Sequence, residues 1–135
     1  MHKLFMVINM IDFESSGFFA RLKKVKDNEF GTMIDDFLIE EEKVVGAYQS
    51  IRDGIVFTNK RIIVINIQGV TGKKKDFTSI PYSKITTYSL ETAGVFDLDA
   101  ELEIYLSGLG RVKFEFKGSA DVKLICKFIS EYTLK

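Results

Sequence analysis

Cysteine, histidine and proline are almost absent from this chain. Cys126 is its one cysteine, so no intramolecular disulfide can form and nothing points to an oxidising compartment. His2 is its one histidine, and with a single imidazole and a single thiol the ligand set of a zinc site is missing. Neither sign of charge is in excess, since Lys plus Arg and Asp plus Glu number 19 each. No overall field therefore draws the protein to nucleic acid, and a charged partner has to be recognised locally. Long apolar runs are missing too. The opening MHKLFMVINMIDF has a lysine ahead of an apolar stretch, but Asn9 interrupts it, it is too short to span a bilayer, and no small-residue cleavage site follows. It is expected to be an arm packed on the domain, with Met6 and Met10 as alternative starts. The protein is accordingly expected in the cytoplasm, free or peripheral to a membrane.

What is present is core material. The 135 residues are 46% apolar and 13% aromatic, phenylalanine foremost, enough for one domain with one proper core. Ser15 and Ser16 are plausible caps for an amphipathic helix in which Phe18, Leu22 and Val25 recur at spacings of four and three. A second helix is expected from Asn28 as cap, with Phe30, Met33, Ile34, Phe37 and Leu38 on one stripe and Gly31 weakening its first turn. The acidic run EEEK at 40–43 reads as a solvated linker.

From Val44 the apolar period changes to two. Seven short strands are expected, at 44–50, 54–58, 61–68, 75–80, 85–91, 101–107 and 111–117. In RVKFEFK the residues Val112, Phe114 and Phe116 point one way and the charged ones the other, as in an antiparallel sheet with one dry face. Asp53-Gly54 is the dipeptide of a two-residue hairpin turn, and Pro81, the only proline, marks a corner. The last segment returns to helix, with Ser119 as cap, Asp121 in the first turn, and Val122, Ile125, Cys126, Ile129 and Tyr132 on one stripe. A helix laid over the open end of a barrel would hide the strand edges. The expected layout is residues 1–43 as arm and short helices packed on the domain, and residues 44–135 as barrel plus C-terminal helix.

Three consecutive motifs, IRDGIVFTNKRIIVI, QGVTGKKKDFTSIPYSKI and SLETAGVFDLDAELEIYLSG, resemble the bacterial pleckstrin-homology family, once classed as a domain of unknown function. The resemblance covers residues 51–108 and extends in layout to Leu134, while the first forty residues match loosely. It implies a mainly β, seven-stranded, pleckstrin-like antiparallel barrel closed by a C-terminal helix. It also implies homo-oligomers, often ring-like, and it does not imply an enzyme.

Residues of chemical interest are then few. In GVTGKKK, glycines beside lysines are the raw material of a phosphate cradle, but Ile67 stands where a Walker-type loop needs its first glycine, Lys74 replaces the hydroxyl, and strand follows instead of helix. The stretch reads as a β-turn kept soluble by Lys73, Lys74 and Lys75. The same lysines are a candidate site for anionic lipid, worth about 1 kcal/mol each near a charged surface against the roughly 8 kcal/mol of micromolar binding. Only a many-copy assembly would make up that difference. IIVINI is apolar on both faces, and Ile62 and Val64 are candidates for an oligomer interface, with cover by the N-terminal helices as the alternative. Asp97, Asp99, Glu101 and Glu103 lack calcium-loop spacing and read as a solvated face. Cys126 reads as an inert core thiol, and Tyr82 and Tyr88 as packing residues. The expectation is a non-enzymatic, self-associating module without cofactor or metal, offering a surface to a protein or peptide partner, with an anionic membrane surface as the second candidate partner.

Overall fold

Alternation of apolar and polar residues from Val44 onward forces most of the chain into strands, and the computed structural model arranges them in one curled sheet. It describes residues 17–69, 71–92, 99–118 and 122–135. The helix caps expected at Ser15, Ser16 and Ser119, the first-turn Asp121, the apolar arm and Asp97 lie outside the described residues. The strands are β1 (Phe18–Val25), β2 (Val44–Gln49), β3 (Gly54–Thr58), β4 (Arg61–Gln68), β5 (Lys74–Pro81), β6 (Ile85–Thr92), β7 (Ala100–Leu106) and β8 (Gly110–Phe116). Their order in the sheet is β5-β4-β3-β2-β1-β8-β7-β6. Every pairing is antiparallel except β1 with β8, which is parallel.

The first correction is β1. The expected helix at Phe18 is a strand, and it sits between β2 and β8, joining the two halves of the sheet. Its pairing register shifts between Phe19 and Leu22, and Arg21 within that bulge has φ of 57°. The extra residue in a bulge reverses the alternation, so the buried Phe19 and Leu22, three apart, share the inner face. A bulged strand thus imitates the spacing of a helix. Among the described residues the sheet accordingly has eight strands where seven were expected.

The second expected helix is shorter than its stripe. Helix α1 spans only Gly31–Ile34, followed by a 3-10 turn at Asp35–Phe37. Phe30 rather than Asn28 occupies the cap position, with no side-chain cap. Glycine in the first turn and two acids, Asp35 and Asp36, at the C-terminal end oppose further growth. Its apolar stripe is used as expected: Phe30 and Ile34 are buried against Ala47, Val56, Ile63 and Ile65. These residues form a small outer core on the convex side of β2, β3 and β4.

The main core lies inside the curl. It gathers Leu22, Tyr48, Phe57, Ile62, Val64, Phe114 and Phe116 with residues of every strand, and aromatic rings meet edge-on, Tyr48 and Phe116 at 4.8 Å between centroids. Helix α2 (Val122–Thr133) lies over this core with Val122, Ile125, Cys126 and Ile129 buried. A 3-10 turn at Tyr82–Lys84 follows Pro81 at the corner between β5 and β6 and packs beneath α2. Among the described residues no helix is long and apolar enough to cross a membrane.

Candidate functional site

The hairpin between β4 and β5 ends with Gln68 opposite Lys74. Gly69 and Gly72 adopt φ of 79° and 69°, left-handed geometry that glycine supplies without strain, and the Gly72 N–H donates to Gly69 O at 3.3 Å. Lys73, Lys74 and Lys75 are all exposed beyond this turn. Strand continues from Lys74, so no helix N-terminus follows the turn as a phosphate cradle would require.

A neighbouring loop brings more charge to the same end. Asp53-Gly54 is not a two-residue turn: Gln49 pairs with Gly54, so Ser50–Asp53 forms a four-residue loop. The loop is held by the Ser50 N–H donating to Asp53 O at 2.9 Å and the Asp53 N–H donating to Ser50 Oγ at 3.1 Å. Gly54 is required for a different reason. A Cβ there would lie 2.6 Å from the ring of buried Phe30. From this loop Arg52 Nη2 donates to Gly69 O at 2.7 Å, which ties it to the lysine hairpin. Asp53 Oδ1 accepts from the Ile67 N–H at 3.1 Å; burial, outweighing that bond and the charge of Arg52, raises the Asp53 pKa above its usual range.

Between this loop, the start of β1 and the end of β4 lies a cleft of about 380 Å³, whose rim includes Phe18, Arg21, Ile51 and Arg52. Ile51 is 92% exposed and Phe18 52%, so apolar tips stand beside cations. Sequence reasoning missed Arg21 and Phe18 because β1 read as a helix, and missed Arg52 because a two-residue turn would have pointed it elsewhere.

The other candidates are placed plainly. Ile62 and Val64 face the interior with no exposed surface, so they do not form an outward apolar pair; the outward pair is Ile63 and Ile65, and the Phe30–Ile34 segment covers it. The one-residue difference reverses every side chain of a strand. Asp99 accepts from Lys117 Nζ at 3.0 Å and from the Gly118 N–H at 2.7 Å, while Glu101 and Glu103 pair with Lys113 and Arg111 at 3.7 and 3.4 Å. Among the described residues no group of His, Cys, Asp and Glu is arranged to hold a metal. Burial pushes the Cys126 thiol up to about 11, so it is protonated at neutral pH and a poor nucleophile. Tyr82, buried, donates its hydroxyl to Thr58 O at 2.6 Å, and burial raises its pKa, with Glu42 adding to the effect. Tyr88 and Ser130 share a hydrogen bond of 2.8 Å.

Glu42 corrects the reading of EEEK as solvent-facing. Its carboxylate is fully buried and receives Arg61 Nε at 2.8 Å and Nη2 at 3.0 Å, Thr58 Oγ1 at 2.7 Å and the Ile39 N–H at 3.0 Å. Arg61 Nη2 also donates to Phe37 O. The network latches the segment after α1 onto β3 and β4, a structural task rather than a catalytic one.

A family model described as "Bacterial PH domain" matches residues 13–133. The chain is 50% identical over 95 residues to the uncharacterised protein YjqA of Bacillus subtilis, covering 69% of this chain and 76% of that one. Over 99 residues it is 28% identical to YozO of the same organism, also uncharacterised, with 73% and 85% covered. Among solved structures, a DUF1696 family protein with a pleckstrin-homology domain from Shewanella loihica is 41% identical with a TM-score of 0.69, covering 84% of this chain and 98% of that one. A pleckstrin-homology domain from Shewanella amazonensis is 42% identical with a TM-score of 0.58, with 82% and 90% covered.

Proposed function

The chain belongs to the bacterial pleckstrin-homology domain family, and from that premise we propose that it is a non-enzymatic interaction module that self-associates into a homo-oligomer and offers strand surfaces to a protein or peptide. One observation carries the reading. Among the described residues the sheet ends at β5 and β6, each hydrogen-bonded to a neighbour strand on one side only. A strand with an unpaired edge is a template for another chain. Exposed apolar side chains on the surface, Ile39 at 61% and Leu109 at 55%, add area that association would cover. Light scattering coupled to gel filtration at micromolar concentration is expected to give one discrete mass above that of the monomer. A clean monomer would remove self-association.

A second reading, binding to an anionic lipid surface, is favoured by the joining of the two loops. Arg52 on the Gly69 carbonyl adds a fourth cation to Lys73, Lys74 and Lys75, and Ile51 supplies an apolar tip at the same end. Four cations at about 1 kcal/mol each still fall short of micromolar affinity for one copy. Several copies in one oligomer would bind through avidity.

A further inference from the structure

The two strands that end the sheet differ in how they discourage addition of another strand. β5 has exposed Lys74 and Lys75 at one end and Pro81 at the other, the charges and missing N–H that deter edge pairing. The ring of Phe37 also rests on Phe77 of that strand, 4.9 Å between centroids. β6 is equally long, eight residues, and its sequence ITTYSLET has no lysine, arginine or proline. Its hydroxyl-bearing, β-branched and aromatic side chains favour extended pairing.

The surface beside β6 adds a chemical preference. The register aligns Glu91 with Glu101 and Glu101 with Glu115, three carboxylates abreast across β6, β7 and β8; like charges directly opposed repel. One position along, Ser89 pairs with Glu103. Glu103 Oε2 is shielded from solvent and accepts no hydrogen bond, although Arg111 Nη1 lies 3.4 Å away. It borders a hollow of about 160 Å³ that also involves Thr87, Tyr88, Ser89, Tyr105 and Arg111. On the opposite face the half-buried Tyr88 and Leu90 pack toward the main core.

We infer that the edge of β6, unpaired among the described residues, is the docking site of an extended peptide in which apolar and basic side chains alternate, laid on as a further strand. Its apolar residues continue the row of Tyr88 and Leu90, and its basic residues continue the acidic row that begins at Glu91; the next row on that face, Ser89–Glu103–Lys113, is already balanced. The inference rests on the interaction-module reading and names the partner's chemistry. A second copy of β6 carries Glu91 and no basic residue of its own, so a basic segment complements the Glu91–Glu101–Glu115 row better than self-pairing at this edge.

The test uses a fluorescein-labelled heptapeptide of alternating lysine and valine, the same peptide with glutamate for lysine, and a third with alternate backbone nitrogens methylated. The lysine peptide is expected to bind saturably and the other two at least tenfold more weakly. Amide exchange over residues 86–92 should slow at least tenfold on binding. Glu91→Lys with Glu103→Lys should weaken binding at least tenfold, and Thr87→Lys, a single charge placed on the edge, should do so in a protein whose melting is unchanged. Equal binding of the glutamate or methylated peptide, protection confined to other strands, or indifference to Thr87→Lys would overturn the inference. So would β6 amides already protected in the free protein and released on dilution, because a second copy would then hold the edge. Light scattering on the same samples separates the two levels. An oligomer that ignores the peptide refutes this inference alone, and a monomer that binds it refutes self-association alone.

Discussion

Glu42 shows how one residue can determine the order of a whole segment. Burial alone would raise its pKa, yet hydrogen bonds from Arg61, Thr58 and the Ile39 N–H, with the charge of Arg61, hold it below the ordinary value of 4.5. A carboxylate whose pKa is depressed by folding contributes stability that is complete above the unfolded pKa and is lost as pH falls through the folded one. Urea midpoints should therefore drop below about pH 4.5, and Glu42→Gln should flatten that part of the profile. At neutral pH the same substitution leaves Arg61 half-buried and short of its partner, at a cost of about 3 kcal/mol. A profile identical to wild type in acid would show that other carboxylates govern it. Gly54 is the second case, at the scale of a single methyl group. Gly54→Ala drives a Cβ into the Phe30 ring, and overpacking of this kind costs about 1 to 3 kcal/mol. Denaturant unfolding should show that loss, and Phe30→Leu, by making room, should recover part of it.

At the scale of elements, β1 and α2 close the molecule from opposite ends of the chain. Leu22 and Ile129 have no exposed surface, so truncation to alanine leaves a cavity in the same core and costs about 2 to 5 kcal/mol in each case. Comparable losses for Leu22→Ala and Ile129→Ala would confirm that β1 is an inner strand of the sheet. A loss under about 1 kcal/mol at Leu22 would instead make β1 a peripheral strap. The bulge is where β1 departs from regular geometry. Arg21, at positive φ, holds a conformation that costs a side-chain-bearing residue about 1 kcal/mol, although its N–H donates to Glu115 Oε1 at 3.2 Å.

For the whole molecule the relevant quantity is charge distribution. A net charge of zero conceals a basic end at Arg52 and Lys73–Lys75 and an acidic row through Glu91, Glu101 and Glu115. Binding to vesicles rich in anionic lipid should fall steeply with added salt, since exposed charges are screened within about 8 Å at physiological ionic strength. Lys73→Glu, Lys74→Glu and Lys75→Glu together should abolish it. Co-sedimentation insensitive to salt and to these reversals would eliminate the lipid reading.

The amino-acid sequence by itself determined the strands from β2 to β8, the final helix and the inertness of Cys126, because short apolar or alternating runs between turn residues and an unbroken 3.6-residue stripe need only local geometry to be read. The glycine-lysine hairpin was legible for the same reason. What only the tertiary structure decided are matters of partner and parity: that Phe18–Val25 is a bulged strand, since its spacing suits helix and strand alike until β2 and β8 are beside it; that Ile63 and Ile65, not Ile62 and Val64, face outward; and that Glu42 is buried, since a carboxylate in an acidic run becomes internal only when Arg61 and Thr58, distant in sequence, arrive to neutralise and bond it. The edge of β6, unpaired among the described residues, belongs to the same class. An unpaired edge is a property of the order of strands in space, which no local pattern records.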